Sequence, residues 1–270
     1  MSETQTAHHH HDGPKHPFHL VNPSPWPFLS SIATLVLAFG LVRLMHGQGW
    51  EVLLVGGALV IACMFGWWRD VILEAVRDKA HTPVVQHGLR VGMMLFIASE
   101  AMFFVAFFWA FFNASLGVSP TVEAWPPEGI ETLSPWDLPF LNTLILLSSG
   151  LTLNWAHHSL LHNNRRDMIR ALALTVFLGV VFLALQMLEY GHTTFGFSDG
   201  IYPSVFYMAT GFHGFHVFVG VVFLAVNLLR AMRGHFNEKH HVGFEAAAWY
   251  WHFVDVVWIF LFIWVYWWGS

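Results

Sequence analysis

Apolar residues run along this chain in long unbroken windows, not in the two-residue alternation of strands or the one-sided stripe of a soluble helix. A membrane helix needs about 20 mostly apolar residues to cross about 30 Å of hydrocarbon. Windows of that kind, bounded by Pro, Gly and charge clusters, fall at 28–45, 52–68, 91–112, 138–155, 169–188, 203–229 and 244–268. The pattern predicts an all-α, polytopic membrane protein with seven transmembrane helices. Residues 28–270 form a single membrane domain behind a polar, His-rich arm, residues 1–27. Between Arg69 and Lys79 apolar and charged residues keep helical spacing with no breaker before Pro83, so the second helix is expected to continue beyond the hydrocarbon. The stretch 117–139 is rich in Pro and acids and reads as a cap outside the membrane.

Composition agrees with this pattern: 56% of residues are hydrophobic and only 11% charged, where a soluble chain carries about 25%. Charge then orients the spans. With seven crossings, all of the 12 basic residues except Arg43 fall on one face, while Glu51, Glu123, Glu128, Glu131, Asp137, Glu189 and Asp199 fall on the other. Lys and Arg stay on the cytoplasmic side of short loops. The N-terminus is therefore expected inside and the C-terminus outside, periplasmic if the membrane is a bacterial inner membrane, which the long polar arm favours over a mitochondrial one. A net charge of -5 offers no broad basic surface, which sets nucleic acid aside as a partner. Cys63 is the sole cysteine, which excludes an intrachain disulfide, an iron-sulfur cluster and a thiolate zinc site.

Ionisable groups inside a span cost at least about 2.5 kcal/mol each on insertion scales, so those present face protein, water or a partner. At about 1.5 Å per residue, Glu100 and Asp255 lie about 18 Å from the inner ends of their helices, and His216 about 21 Å from the outer end of its own. Ser149 falls at a similar depth. These four residues are expected to form a polar layer near the midplane, able to bind a proton or to hold the helices in register by hydrogen bonding. Glu245, one residue into its window, reaches the headgroups.

The histidines raise the possibility of metal chemistry. His157, His158 and His162 stand near the inner end of the fourth window, and His213 and His216 three apart on the sixth. A di-iron enzyme needs His-rich boxes at one surface, and His213 and His216 lie too deep to join the first group. A haem needs two His at matched depth, and His252 with His216 do not match. No metal site is expected in this chain. Trp67, Trp68 and Arg69 end the second window at the inner interface, with Arg230 and Arg233 ending the sixth. Rings and guanidinium groups at that depth suit an anionic lipid or simple interfacial anchoring.

The segments FGWWRDV (65–71), HTPVVQHGLRVGMMLFIASEAMFFVAFFWAFF (81–112), WPPEGI (125–130), LPFLNTLILLSSG (138–150), NWAHHSL (154–160), FYMATGFHGFHVFVG (206–220) and HVGFEAAAWYWHFVDVVWIFLFIWVYWWG (241–269) together resemble subunit III of the haem-copper cytochrome c oxidases. The resemblance implies a two-helix and a five-helix bundle separated by a V-shaped, lipid-filled cleft. It implies no redox centre in this chain, with haem a and copper in the partner subunits I and II, and cytochrome c as a partner through the complex. It implies a role in proton uptake and in protecting the oxidase during turnover. Glu100 corresponds to the family's buried membrane acid. Trp67, Trp68, Glu74, His81, Arg230, Arg233 and His241 correspond to positions around bound phospholipids. Leu73 stands where mitochondrial-type members have Arg, so Arg69 is expected to compensate. The resemblance fades at the arm, where His8, His9, His10, His11, His16 and His19 read either as a disordered tail or as a cluster that collects protons on the cytoplasmic side, and the tract His8 to His11 fits a purification remnant or a natural His-rich arm. The competing readings are the matching subunit of a quinol oxidase and an independent His-rich membrane metalloenzyme.

Overall fold

The computed structural model describes residues 17–118 and 124–270. His8, His9, His10, His11 and His16 of the arm, and Glu123 of the outer loop, lie outside the described residues. Seven α-helices follow one another: α1 (Trp26–Met45), α2 (Glu51–Val76), α3 (Pro83–Ser115), α4 (Leu138–Leu161), α5 (Arg165–Gly191), α6 (Ile201–Met232) and α7 (Val242–Leu261), the last continued by a π-helical turn, Phe262–Trp267. Most helices outrun their apolar windows, because hydrogen bonding continues into the polar flanks where water or headgroups replace hydrocarbon. Prolines mark the starts. Pro83 opens α3, and Pro139 and Pro203 sit in the first turns of α4 and α6, where the missing N–H has no intrahelical partner to lose. The Asn164 side chain accepts from the Asp167 amide and caps α5.

Among the described residues, six helical segments are long and apolar enough to cross a membrane: α1, α2, α3, α5, α6 and Val242–Trp267. The seventh helix of the count, α4, has the length but not the hydropathy. Asn142, Thr143, Ser149, Thr152, Asn154, His157 and His158 dilute its apolar residues, and several of these are buried against protein. Helix α2 runs to Val76, past the end of its window, as its spacing predicted. Glu189 departs from expectation. Assigned to an outer loop, it instead lies within α5 at 1% exposure, because the helix continues to Gly191.

The chain divides into two compact units, one ending at Leu89 and the other Arg90–Ser270. In the first, α1 and α2 pack through backbone. A Cβ on Gly40 would stand 2.4 Å from the Leu53 nitrogen, and one on Gly56 would stand 2.5 Å from the Leu37 Cα. Small residues allow this approach where lipid supplies no hydrophobic drive between helices. The Trp26 indole donates to Asp70 at 2.6 Å and ties the start of α1 to α2.

In the second unit, α7 is the wedge. Trp251 and Trp258, seven residues apart and fully buried, donate their indole N–H groups to Ser149 and Thr143 of α4, each at 2.9 Å. A Cβ on Gly179 of α5 or Gly220 of α6 would meet the Trp251 ring at 2.7 and 2.8 Å. The two glycines thus form the slot that the ring occupies. Thr152 and Thr175 join α4 to α5 at 2.8 Å.

Candidate functional site

The second unit places Glu100 of α3 against His216 of α6, with 2.9 Å between Oε2 and Nε2. The other ring nitrogen decides what this contact means. His216 Nδ1 lies 2.6 Å from the Phe212 carbonyl, four residues back along α6. A carbonyl only accepts, so Nδ1 carries the proton and donates it. In the neutral ring Nε2 is then bare, and its bond to Glu100 requires either a protonated carboxyl or a second proton on the ring. Phe103, Phe104 and Tyr250 pack their rings around His216 and keep the site apolar, while the Glu100 side chain keeps 23% exposure.

The other members of the expected polar layer have different partners. Ser149 donates to Leu146 O at 2.5 Å and receives Trp251. Asp255 Oδ2 is 3.5 Å from His252 Nδ1, and His252 Nε2 is 3.0 Å from Asn154 Oδ1. Asp255 Oδ1 is buried with no partner among the described residues. Sequence reasoning missed Glu189, which accepts from Tyr266 at 2.6 Å and from Gln186 at 3.2 Å. Its position beside the end of an apolar window had concealed it. His213 bonds to Val254 O at 3.2 Å and packs on Trp258, while His158 and His162 pair with each other.

Of the residues expected near headgroups, the first unit carries Trp67, Trp68 and Arg69 exposed on α2, with Leu73 also exposed and Glu74 half-buried. Glu74, His81 and His19 have ligand-type atoms within 4.8 Å of one another. The arm residue thus joins two of the lipid candidates. In the second unit, Arg230 sets its guanidinium 4.5 Å above the Phe236 ring, and Arg233 is exposed. Partial burial, then Arg230 and Arg233, hold the His235 imidazole below its ordinary range, so this end keeps its positive charge without a further proton. Glu245, expected at the headgroups, accepts from Arg90 at 2.7 Å and faces His241 at 3.3 Å.

The family model for cytochrome c oxidase subunit III matches residues 16–270. The chain belongs to the cytochrome c oxidase subunit III family. Cytochrome c oxidase subunit 3 of Prototheca wickerhamii is 56% identical over 261 residues, covering 95% of this chain and 99% of the relative. That of Marchantia polymorpha is 56% identical, with 95% and 98% covered, and that of Osphranter robustus is 52% identical over 256 residues, with 94% and 98% covered. As a subunit III, the chain is a component of a membrane oxidoreductase complex and works together with other oxidase subunits. Subunit III membership also places the redox centres outside this chain, and it takes precedence over the quinol-oxidase and His-rich enzyme readings.

Proposed function

We propose that this chain is an auxiliary subunit of a proton-pumping cytochrome c oxidase that reduces oxygen to water. It stabilises the catalytic subunit, supports proton uptake and binds structural phospholipids. The observation that supports the proton role is the Glu100–His216 pair, a carboxyl and an imidazole in hydrogen-bonding contact in an apolar surrounding. Trp67, Trp68, Arg69, Glu74, His81, Arg230, Arg233 and His241 are its lipid contacts; the exposed Trp67, Trp68, Arg69 and Arg233 support this reading, whereas His241 is buried and faces Glu245. The arm histidines feed protons toward the complex. Haem a and copper reside in subunits I and II, and cytochrome c delivers electrons to the complex. Seven crossings with the N-terminus inside, including the more polar α4, are supported by the distribution of basic residues. The two-helix and five-helix bundles and their lipid-filled cleft, implied by the resemblance, belong to the same proposal. The polar arm favours a bacterial inner membrane, although the relatives above are eukaryotic.

Steady-state oxygen consumption at alkaline pH by the purified complex, with and without this chain, tests the reading. Intact initial electron transfer, slower proton uptake and faster loss of activity on removal are expected. Loss of haem or of all electron transfer on removal would overturn it. Glu100→Gln, which removes the dissociable proton but keeps a hydrogen-bonding side chain, is expected to lower alkaline turnover at unchanged haem content. An unchanged rate of proton uptake in that variant would remove Glu100 from the proton role.

A further inference from the structure

We propose that His157, His241 and Glu245 form a divalent-cation site of the Zn2+ type that clamps the last turns of α4 to the start of α7. Their ligand atoms all lie within 4.8 Å of one another. His241 Nε2 and Glu245 Oε1 are 3.3 Å apart, which is the separation of two ligands placed tetrahedrally at about 2.0–2.1 Å from Zn2+. That edge is already at length, and His157 brings a ring nitrogen within 4.8 Å of both. His157 Nε2 is buried and has no hydrogen-bond partner among the described residues, which leaves that nitrogen available as a ligand within this set.

The surrounding bonds set up the other two donors. His241 Nδ1 lies 3.0 Å from the Asn237 carbonyl. Because a carbonyl only accepts, Nδ1 carries the proton and Nε2 presents its lone pair toward Glu245. A backbone carbonyl that orients a ligating imidazole in this way is the usual outer partner of a metal-bound His. Glu245 has a similar division: Oε2 accepts from Arg90 Nε at 2.7 Å, leaving Oε1 toward the cluster. Two imidazoles, one carboxylate and an open fourth position suit Zn2+ better than Mg2+ or Ca2+, which prefer oxygen. The Arg90 cation tempers the site, which makes the ion exchangeable and not permanently held. Residue 157 is distant in sequence from the i,i+4 pair 241 and 245, and the spacing of HHSLLH alone gives no hint of the α7 partners.

The test is Zn2+ binding to the intact, chelator-stripped complex, with zinc alone as the probe, in the parent and in His157→Ala, His241→Ala and Glu245→Gln. One Zn2+ per chain is expected in the parent, weakened about ten-fold or more in each variant and retained in His81→Ala, which alters the separate His19–Glu74–His81 group. Identical zinc binding in the parent and the three variants overturns the proposal, and so does zinc that is lost only with His81. The parent complex supplies a measurement that does not depend on any variant assembling. Zn2+ is expected to raise its thermal midpoint and to bring imidazole scattering into the zinc X-ray absorption spectrum, and zinc with oxygen neighbours only would overturn the site.

Discussion

The Phe212 carbonyl, which belongs to no catalytic group, orients His216 by accepting from Nδ1, so that Nε2 is the nitrogen that faces Glu100. Glu189 is bound by the same logic to two donors, Tyr266 and Gln186, in a fully buried place. Glu189→Ala is expected to destabilise the protein by about 1–3 kcal/mol for each donor left without an acceptor, read as a lower thermal midpoint of the complex. Glu189→Gln, which keeps an acceptor oxygen, is expected to recover most of that loss. If the alanine variant unfolds like the parent, Glu189 has no part in holding α5 to the end of α7. Glu100, His216 and Asp255 are legible in the sequence because each interrupts an apolar window. Glu189 is not, because it borders a window and its partner Tyr266 stands 77 residues away. The partner of each buried acid was likewise beyond reach, since matched depth says which residues share a level but not which of them face each other.

Among the helices, α1 and α2 are held together by an absence of side chain. Gly56→Val would drive a branched side chain into the Leu37 backbone, and backbone cannot yield as a rotamer can. A loss of about 1–3 kcal/mol, the usual penalty of overpacking, is expected, seen as earlier proteolysis of the α1–α2 hairpin in the assembled complex. Gly57→Ala, where the nearest atom is a side-chain carbon at 3.9 Å, serves as the control and is expected to be neutral. Equal sensitivity of both variants would show that the close approach is not what holds the pair. The extension of α2 to Val76 was legible, since a helix with polar and apolar residues at constant spacing has no reason to stop at the hydrocarbon edge. The character of α4 was only half legible. Its Ser and Thr residues look like a weak span until Trp251 and Trp258 arrive from α7 to receive them.

At the scale of the molecule, the cationic end of α6 is the clearest candidate for holding an anionic headgroup, with Arg230 stacked on Phe236 and Arg233 free to reach outward. Replacing both by Gln is expected to strip bound anionic phospholipid from the purified complex, measured by mass spectrometry of extracted lipid, and to hasten inactivation during turnover. Retention of the lipid would assign these residues to anchoring alone. The family was legible from motifs along nearly the whole chain. The meeting of His157 with His241 and Glu245 was not, since it depends on how far α4 and α7 each extend. The length of α6 has a separate outcome. Its 32 residues span about 48 Å at 1.5 Å per residue, against about 30 Å of hydrocarbon, yet Leu229 and Met232 near its C-terminal end are still exposed and apolar. Standing upright would push those residues into water. A lean of the helix or a local thickening of the bilayer would keep them in hydrocarbon, and a dependence of oxidase turnover on the acyl-chain length of the surrounding lipid is the expected outcome.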